Sequence, residues 1–569
     1  MNMKHCFFMV FFLIFLSGFS PIASQEYFAE KIDRGIVALV INERNAYIGW
    51  RLLSSDPSDI GFNIYRKEVG LSDYVKINDM PVTATTDYID NTVKAGRAYR
   101  YIVKSVLGAK EKDEPGCATL FMLTGNQPYY SIKLRDNTRP KRIGIGDLDG
   151  DGAYDFVVQL PDFNVDPYYM PGYWVRSPEP YRLEAYTSEG KFLWTYDMGW
   201  SIETGTWYAP YLVFDIDQDG YAEVYAKAGE GDPRERDGHV LEGAEYLVKI
   251  NPKNGTVMAR QPWLSKEGFN GDYNYWSRNF LSVAYLDGRN PYLIMQRGTY
   301  TIIKTEALDR NMKRYWYWES TGEYDKYRGQ GQHGIMQADI DGDGRDELIP
   351  GTFALDDNGK PIWFTGLKHN DVGYIADIDP SHPGLEIFYG IESRSQKNGV
   401  CLVEASTGKI LWGFEGPTTH VHSQGMVGDI DPDYPGMECY AGEAKGGDQY
   451  FLYSASGKRL SDKNMGSLTP RPLWWDADNL KEIEINNQII KFKGDTLLKI
   501  EGKVVFVGDI VGDWREEIIT CLPGELRIYS TNIPADSRKV CLMQNRQYRL
   551  QAANASMGYF YPPQMSIEK

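Results

Sequence analysis

Between about residues 25 and 124 the apolar positions fall in short runs that alternate with polar ones. Ala46-Tyr-Ile-Gly-Trp50, Phe62-Asn-Ile-Tyr-Arg66 and Tyr99-Arg-Tyr-Ile-Val103 all have this period of two, and Thr86-Asp-Tyr-Ile-Asp90 marks a further strand edge. Period two with turn clusters between the runs predicts strands with one buried face. From about residue 125 a different unit recurs. An apolar strand runs into a carboxylate-rich turn, and the chain leaves on another apolar strand. Strand–turn–strand signatures such as Tyr186-Thr-Ser-Glu-Gly-Lys-Phe-Leu-Trp194 and Glu404-Ala-Ser-Thr-Gly-Lys-Ile-Leu-Trp412 lie between these turns. No amphipathic helix of useful length is predicted, so the chain reads as all-β.

The organisation follows from the two patterns. Residues 25–124 have the layout of a fibronectin type III-like β-sandwich, in which Trp50 and the Tyr-rich strand pack the core and carry no chemistry. Residues 125–569 suit a β-propeller of seven or eight blades, at roughly 50–60 residues each. A parallel β-helix would need a much shorter repeat. Residues 1–24 read as a secretory signal. Lys4 and His5 precede an apolar run from Phe7 to Leu16, and the small residues Ala23 and Ser24 follow. The run is too short to span a bilayer, so the mature protein is expected to be periplasmic or extracellular, without membrane insertion.

Composition sharpens this in three ways. Aromatic residues reach 14%, with 57 Gly and 29 Pro, which favours strands and turns. The formal charge of −17 argues against a nucleic-acid partner. Past the signal the cysteines are Cys117, Cys401, Cys439, Cys521 and Cys541: odd in number, widely spaced and without a CxxC pair. No disulfide framework or zinc-binding cysteine pattern is expected. A monomer is expected.

The acidic turns carry the first candidate chemistry. They read Asp147-Leu-Asp-Gly-Asp-Gly-Ala-Tyr-Asp155, Asp215-Ile-Asp-Gln-Asp-Gly-Tyr-Ala-Glu223 and Asp339-Ile-Asp-Gly-Asp-Gly-Arg-Asp-Glu347. Longer relatives begin at Asp377 and Asp429 and end at Glu386 and Glu438. Carboxylates at alternate positions, then Gly, then an acid at the ninth place, make a cage of hard oxygen ligands suited to Ca2+. The predicted ligands are Asp147, Asp149, Asp151, Asp155, Asp215, Asp217, Asp219, Glu223, Asp339, Asp341, Asp343, Glu347, Asp377, Asp379, Glu386, Asp429, Asp431 and Glu438. Most such ions would staple blades together. The degenerate copy Asp509-Ile-Val-Gly-Asp-Trp-Arg-Glu-Glu517 has lost its middle carboxylate and is read as structural, with Trp514 and Arg515 packing. Histidines are scarce. His333, His369, His420 and His422 fall in successive blades, each ahead of an Asp-rich strand, so equivalent loops would present them on one rim. Zinc is an alternative ligand for them, without an HxxxH helix in support.

These residues also carry a resemblance. Gly329-Gln-Gly-Gln-His333 followed by Ala338-Asp-Ile-Asp-Gly-Asp-Gly344 resembles polysaccharide lyase family eleven, the bacterial rhamnogalacturonan lyases. So do Gly366-Leu-Lys-His369, Trp474-Trp-Asp476, Gly512-Asp-Trp-Arg-Glu-Glu517 and Tyr559-Phe-Tyr-Pro-Pro563. Gly49-Trp-Arg-Leu-Leu53 and Phe62-Asn-Ile-Tyr-Arg66 resemble that family's N-terminal module. The likeness covers nearly the whole mature chain in one order. It implies an eight-bladed propeller with bound calcium that cuts rhamnose–galacturonate linkages by elimination. It places His333, His369, Lys503 and Tyr559 in the cleft, with Asn164 more loosely aligned. Two departures affect the sugar-reading shell. The family's Asn-Gly-Thr before the lysine is Ile500-Glu-Gly502 here, and an Asp in its second propeller strand appears as Glu184.

The expected substrate is therefore an anionic rhamnose-containing polysaccharide, and the expected chemistry is removal of the C5 proton of a uronate. That carbon is a weak acid until the adjacent carboxylate is neutralised, by calcium or by an Arg/Lys clamp. A lysine serves as base when desolvation or nearby cations favour its neutral form. Histidine qualifies without a large shift. Lys503, beside a calcium, is favoured as base over His333 or His369, and Tyr559 is the candidate acid. Gly502, Glu184 and Asn164 are candidate sugar contacts. Arg278 and Arg297 either hold carboxylates or make inter-blade ion pairs. Three alternatives stay open: a lyase on ulvan or a plant gum, a non-catalytic calcium-dependent glycan-binding propeller, and a glycoside hydrolase using a carboxylate pair.

Overall fold

The computed structural model describes residues 27, 29–122, 128–163, 176–271 and 273–565. The predicted signal and Asn164 lie outside the described residues. Two sheets form the N-terminal unit. Val37–Asn42, Asn45–Gly49 and Asp87–Asp90 make one, and a five-stranded sheet around Gly61–Glu68 and Ala98–Leu107 makes the other. Their alternating apolar faces meet in one core, where Trp50 packs edge-on against Phe62 with ring centroids 5.4 Å apart. Tyr99 and Tyr101 are buried beside them, as period two requires.

The rest is a ring of eight four-stranded antiparallel blades. Their first strands are Arg142–Gly146, Tyr211–Phe214, Asn279–Ala284, Gly331–Ala338, Asn370–Ala376, Met426–Gly428, Arg471–Leu473 and Lys503–Gly508, in blades 1 to 8. Each first strand packs against the next, and the eighth packs against the first, so the ring closes. These strands are buried almost throughout, whereas an outer strand such as Val257–Pro262 is largely exposed. That gradient explains why the inner strands read as apolar runs rather than as alternation. Blade 8 takes its outermost strand, Tyr129–Lys133, from the start of the ring sequence, with Tyr529 opposite Tyr129. Blades 4 and 5 are joined through a parallel bridge between Gln332 and Asn370.

One element departs from the sequence reading. A helix, Arg546–Ala553, lies inside the ring against the inner strands of blades 1 to 4. Six of its eight residues are buried, so it has no polar face and leaves no 3.6-residue signature. Arg546 pairs with Asp346 at 2.8 Å and donates to the Gly344 carbonyl, both in the acidic turn of blade 4. Farther along, Arg142 donates to the carbonyls of Ser556 and Gly558, each at 3.2 Å. The C-terminal segment thus threads the ring from the face with the acidic turns to the opposite mouth.

The N-terminal unit docks on blade 8. Arg51, buried, pairs with Asp33 at 2.8 Å and donates to the Ile510 carbonyl. Tyr47 donates to Asp513, which also holds Arg515 at 2.6 Å. The degenerate turn is therefore structural, with Trp514 and Arg515 both buried. Cys401, Cys439, Cys521 and Cys541 are free and buried, and Cys117 lies against Arg100. Among the described residues no helix is long and apolar enough to cross a membrane.

Candidate active site

Every inner strand begins at one mouth of the ring and ends on the face that carries the acidic turns. At about 3.3 Å per residue the strands hold the two faces roughly 15–25 Å apart. Lys503 opens the strand Lys503–Gly508, and Asp509 follows its end. This corrects the expectation of a turn-bound calcium beside Lys503: the acidic turns lie on the far face.

In the turns, the closing acid, ninth in the short turns and tenth in the longer ones, folds the loop on itself. Asp155 accepts from the Leu148 amide at 2.9 Å, Glu347 from Ile340 at 2.9 Å, Glu386 from Ile378 at 2.8 Å and Glu438 from Ile430 at 3.1 Å. Blade 7 repeats the device with Glu482 and Trp475 at 3.0 Å, beside Asp476 and Asp478. The sequence reading missed that turn, although its Asp-x-Asp and Glu spacing was visible. Ligand atoms of Asp147, Asp149 and Asp155 converge, as do those of Asp339, Asp341 and Glu347. Asp151 and Asp343 instead each accept a backbone amide two residues on, at 2.8 Å. Glu347 Oε1 and Glu438 Oε1 are buried without a hydrogen-bond donor, so each has an oxygen that could ligate a cation. Burial pushes Asp155 up to about 8 and Glu347 up to about 9, with neighbouring carboxylates adding to it. Such a cage is stable as an anion only around a cation.

Two predicted sets differ from this picture. In blade 2, Asp215, Asp217, Asp219 and Glu223 converge, but Lys249 reaches Asp217 at 2.5 Å and Glu223 at 3.0 Å. In blades 5 and 6, Asp377, Asp379, Asp429 and Asp431 share their turns with bases: His382 lies 3.0 Å from Glu386, and Lys493 lies 2.6 Å from Asp431.

The mouth gathers the imidazoles. His333 and His369 stand at the starts of the inner strands of blades 4 and 5 and are buried. Their Nε2 atoms share Asp371 Oδ1, at 3.1 and 3.3 Å. Asp371 Oδ2 faces His422 Nδ1. Glu392 binds His369 Nε2 at 3.2 Å through one oxygen and lies 3.6 Å from His420 Nε2 through the other. His369 Nδ1 meets the Gly331 carbonyl, so that nitrogen carries hydrogen and Nε2 faces the acids. The two buried imidazoles titrate in opposite directions. Burial drives His333 down to about 4, against Asp371. Burial also opposes the charge on His369, but Asp371 and Glu392 together outweigh it and raise that ring to about 9. Glu392 faces His369, whereas the charges of His369 and Arg278 press further on His333. Burial favours a neutral Asp371, yet hydrogen bonds from three histidines hold it well below the carboxylate range. Asp371 and Glu392 were not legible as site residues in the sequence, where each is one carboxylate among many.

Aromatic side chains line the same wall. Trp207 stacks on His333 at 4.6 Å, and Tyr559 stands edge-on to both, at 5.2 and 5.1 Å. Tyr300 OH lies 3.3 Å from His333 Nε2. Arg278 is buried between Trp207 and Tyr300, 4.8 and 5.2 Å from their ring centres.

The opposite wall, from blades 8 and 1, is cationic. Lys503 Nζ pairs with Asp162 at 2.7 Å, and Arg139 reaches the other oxygen of that carboxylate at 2.9 Å. Lys141 and Arg142 are buried alongside. Burial, then the charges of Arg142 and Lys503, press the Lys141 amine down to about 7. Lys141 and Asp162 were missed by the sequence reading.

Two predicted contacts fall elsewhere, and a third, at the mouth beside Lys503, has no side chain to offer. Glu184 lies inside blade 1, held by Arg182 at 2.9 Å and by the Tyr186 hydroxyl at 2.6 Å. Arg297 is fully buried in an inter-blade ion pair with Glu245 at 2.5 Å. Gly502 serves the backbone: its φ is +98°, and a Cβ would lie 2.8 Å from Leu522 Cδ1 and 2.9 Å from the Cys521 carbonyl.

Comparison with known proteins agrees with this architecture. Residues 137–568 match the rhamnogalacturonan lyase family 11 C-terminal domain, and residues 27–120 match the rhamnogalacturonan I lyases beta-sheet domain. The chain is 33% identical to the rhamnogalacturonan endolyase YesW of Bacillus subtilis (strain 168), covering 95% of this chain and 90% of that one. It is 30% identical to the exolyase YesX of the same organism, covering 95% of each. The crystal structure of YesW superposes with a TM-score of 0.84 at 31% identity over 95% of this chain and 96% of that one. The Bacillus licheniformis rhamnogalacturonan lyase PL11 gives the same four values. With its two-sheet module, its closed ring of eight blades and a match to both family domains, the chain is a polysaccharide lyase and belongs to rhamnogalacturonan lyase family 11.

Proposed function

We propose that the chain is an exported rhamnogalacturonan I lyase that cleaves rhamnose–galacturonate linkages by β-elimination, leaving an unsaturated uronate. The chain would divide near residue 124 into a supporting module and a catalytic ring. The observation that carries the mechanism is the division of the mouth into two walls. In galacturonate the C5 hydrogen and the C4 oxygen lie on opposite faces of the sugar. Elimination across them asks for a base on one side and an acid on the other.

Lys503 would take the C5 proton from the wall of blades 8 and 1. There Arg139, Lys141, Arg142 and Lys503 share one carboxylate, Asp162. Burial and the charges of Arg142 and Lys503 hold the Lys141 amine down to about 7, so this wall gives up a proton near neutral pH at Lys141, beside Lys503. On the other wall, Tyr559 would give its proton to the departing rhamnosyl oxygen. The C5–H and C4–O bonds break, and the C4–C5 double bond forms. Trp207 and Tyr300 offer faces for sugar rings, and Arg278 between them offers a charge for a carboxylate. A divalent cation held by His333, His369 and Asp371 would neutralise the uronate carboxylate and so acidify C5. At the other face, the cages of blades 1 and 4 fit calcium in a structural role.

The altered Ile500-Glu-Gly502 segment favours a second reading of the substrate. Glu501 turns away to Arg527 at 2.5 Å, so the segment offers no side chain of its own to a sugar. A related rhamnose–uronate polymer such as ulvan or a plant gum is that alternative. Ultraviolet absorbance of the new double bond, followed on rhamnogalacturonan I, ulvan and gums, tests both. Reducing ends released without that absorbance would overturn the elimination.

A further inference from the structure

The turn at 215–223 has a full set of carboxylates, and the ligand atoms of Asp215, Asp217, Asp219 and Glu223 gather within 4.8 Å. By its donors it matches the cages of blades 1 and 4. What differs is the strand behind it. Tyr225, two residues past the closing acid, pairs with Lys249 across the sheet. The same step from the closing acid meets Ala185 in blade 1, Leu402 in blade 5 and Leu452 in blade 6. In blade 4, where Leu348 pairs with Leu355, it meets Ala354. Directly opposed partners share a face of the sheet. In four blades, then, an aliphatic side chain takes the place that an ammonium takes in blade 2.

That ammonium is fixed. The Lys249 side chain is 8% exposed, and Nζ stands 2.5 Å from Asp217 Oδ2 and 3.0 Å from Glu223 Oε1. The matching oxygen in blade 4, Glu347 Oε1, has no hydrogen-bond donor. The lysines on the turns of blades 6 and 7 are a different case. Lys493 is 60% exposed and Lys491 41%, so both can rotate into water and leave the acids to an ion. A buried ammonium cannot be pushed aside without stranding its charge. A second residue supplies the tie between blades. Gln218 stands where blades 1 and 4 have Gly150 and Gly342, at a φ of +67°, and donates to Asn290 beside the start of blade 3's second strand at 3.0 Å. We propose that Lys249 is the resident cation of the blade 2 turn, which therefore takes no calcium although its carboxylate spacing is complete. A divalent ion among the same oxygens would stand at contact distance from a like charge, which opposes its binding. Blade 2, whose inner strand follows Trp207, then keeps its turn closed without metal. The proposal rests on the calcium reading of the cages in blades 1 and 4 and on nothing in the lyase chemistry.

The probe is Ca2+, counted by equilibrium dialysis on chelator-stripped full-length protein. Lys249→Ala, which installs the residue of blades 1 and 4, should bind one equivalent more than the wild type. The difference in melting temperature between calcium-loaded and chelated protein should widen in that variant, because blade 2 then depends on an ion. An equal count in the two proteins, or an unchanged difference, overturns the assignment. Where the variant fails to fold, anomalous scattering from wild-type crystals grown in calcium decides. A peak among Asp215, Asp217 and Glu223 overturns the assignment, and peaks in blades 1 and 4 with none in blade 2 support it. A wild type that binds no calcium overturns it as well, by removing the cages against which blade 2 is compared, and leaves the lyase reading to its own assay.

Discussion

Replacing Lys141 with methionine separates the electrostatics of the cationic wall from its packing. Methionine keeps the length and apolar stem, while the buried ammonium goes. The amine stands at about 7 against an ordinary 10.5, displaced first by burial and then by Arg142 and Lys503. That displacement of about 3.5 pH units amounts to about 4.8 kcal/mol at 1.36 kcal/mol per unit. The sign follows from proton counting. Above pH 10.5 the amine is neutral in both states and costs nothing. Between 10.5 and 7 the unfolded chain holds the proton and the folded one does not, so folded stability falls on acidification and then levels off below 7. Lys141→Met should therefore match the wild type near pH 10 and exceed it by about 4–5 kcal/mol at pH 6, the attraction to Asp162 being already contained in that displacement. Urea unfolding at pH 6 to 10 measures this. The gap should change by about 1.4 kcal/mol per pH unit across 7 to 10, whatever the methionine does to packing. A gap that is flat with pH would refute the account of this wall.

Lys503→Ala should lower product formation by at least about two orders of magnitude while leaving unfolding nearly unchanged; a folded variant with near-native turnover would move the base to His333 or His369. Exhaustive chelation should lower activity and the melting temperature together, and calcium alone should restore the melting temperature, since ions bound only by the folded state stabilise it. Arg51→Ala strands Asp33 against blade 8 and should cost about 3–5 kcal/mol by urea unfolding, with turnover per folded molecule unchanged. Glu203, buried under the Tyr273 hydroxyl, is pushed up by burial to about 7, so it stabilises the fold only when protonated. Glu203→Gln should match the wild type near pH 4.5 and exceed it by about 2–3 kcal/mol at pH 8.5 in the same assay.

The acidic turns were legible because everything that defines them lies within nine residues. Alternate carboxylates, a glycine and a closing acid fix a loop whatever packs around it. The strands were legible for the same reason, as were the scarce histidines ahead of them, whose shared position at strand starts already placed them on one rim. Three things needed the tertiary structure. The helix Arg546–Ala553 is buried within the ring, six of its eight residues out of solvent, so no periodic polar face betrays it. Lys249 is an ordinary strand lysine until the fold turns it into the carboxylates of its own blade. The mouth is assembled from side chains that are distant in sequence: Lys503 meets Asp162 across 341 positions, and the C-terminal Tyr559 meets His333 only because the chain threads the ring. Local spacing dictates which loops can hold a cation. Ring closure, which brings one end of every inner strand to a common mouth, decides which residues can act together on a substrate.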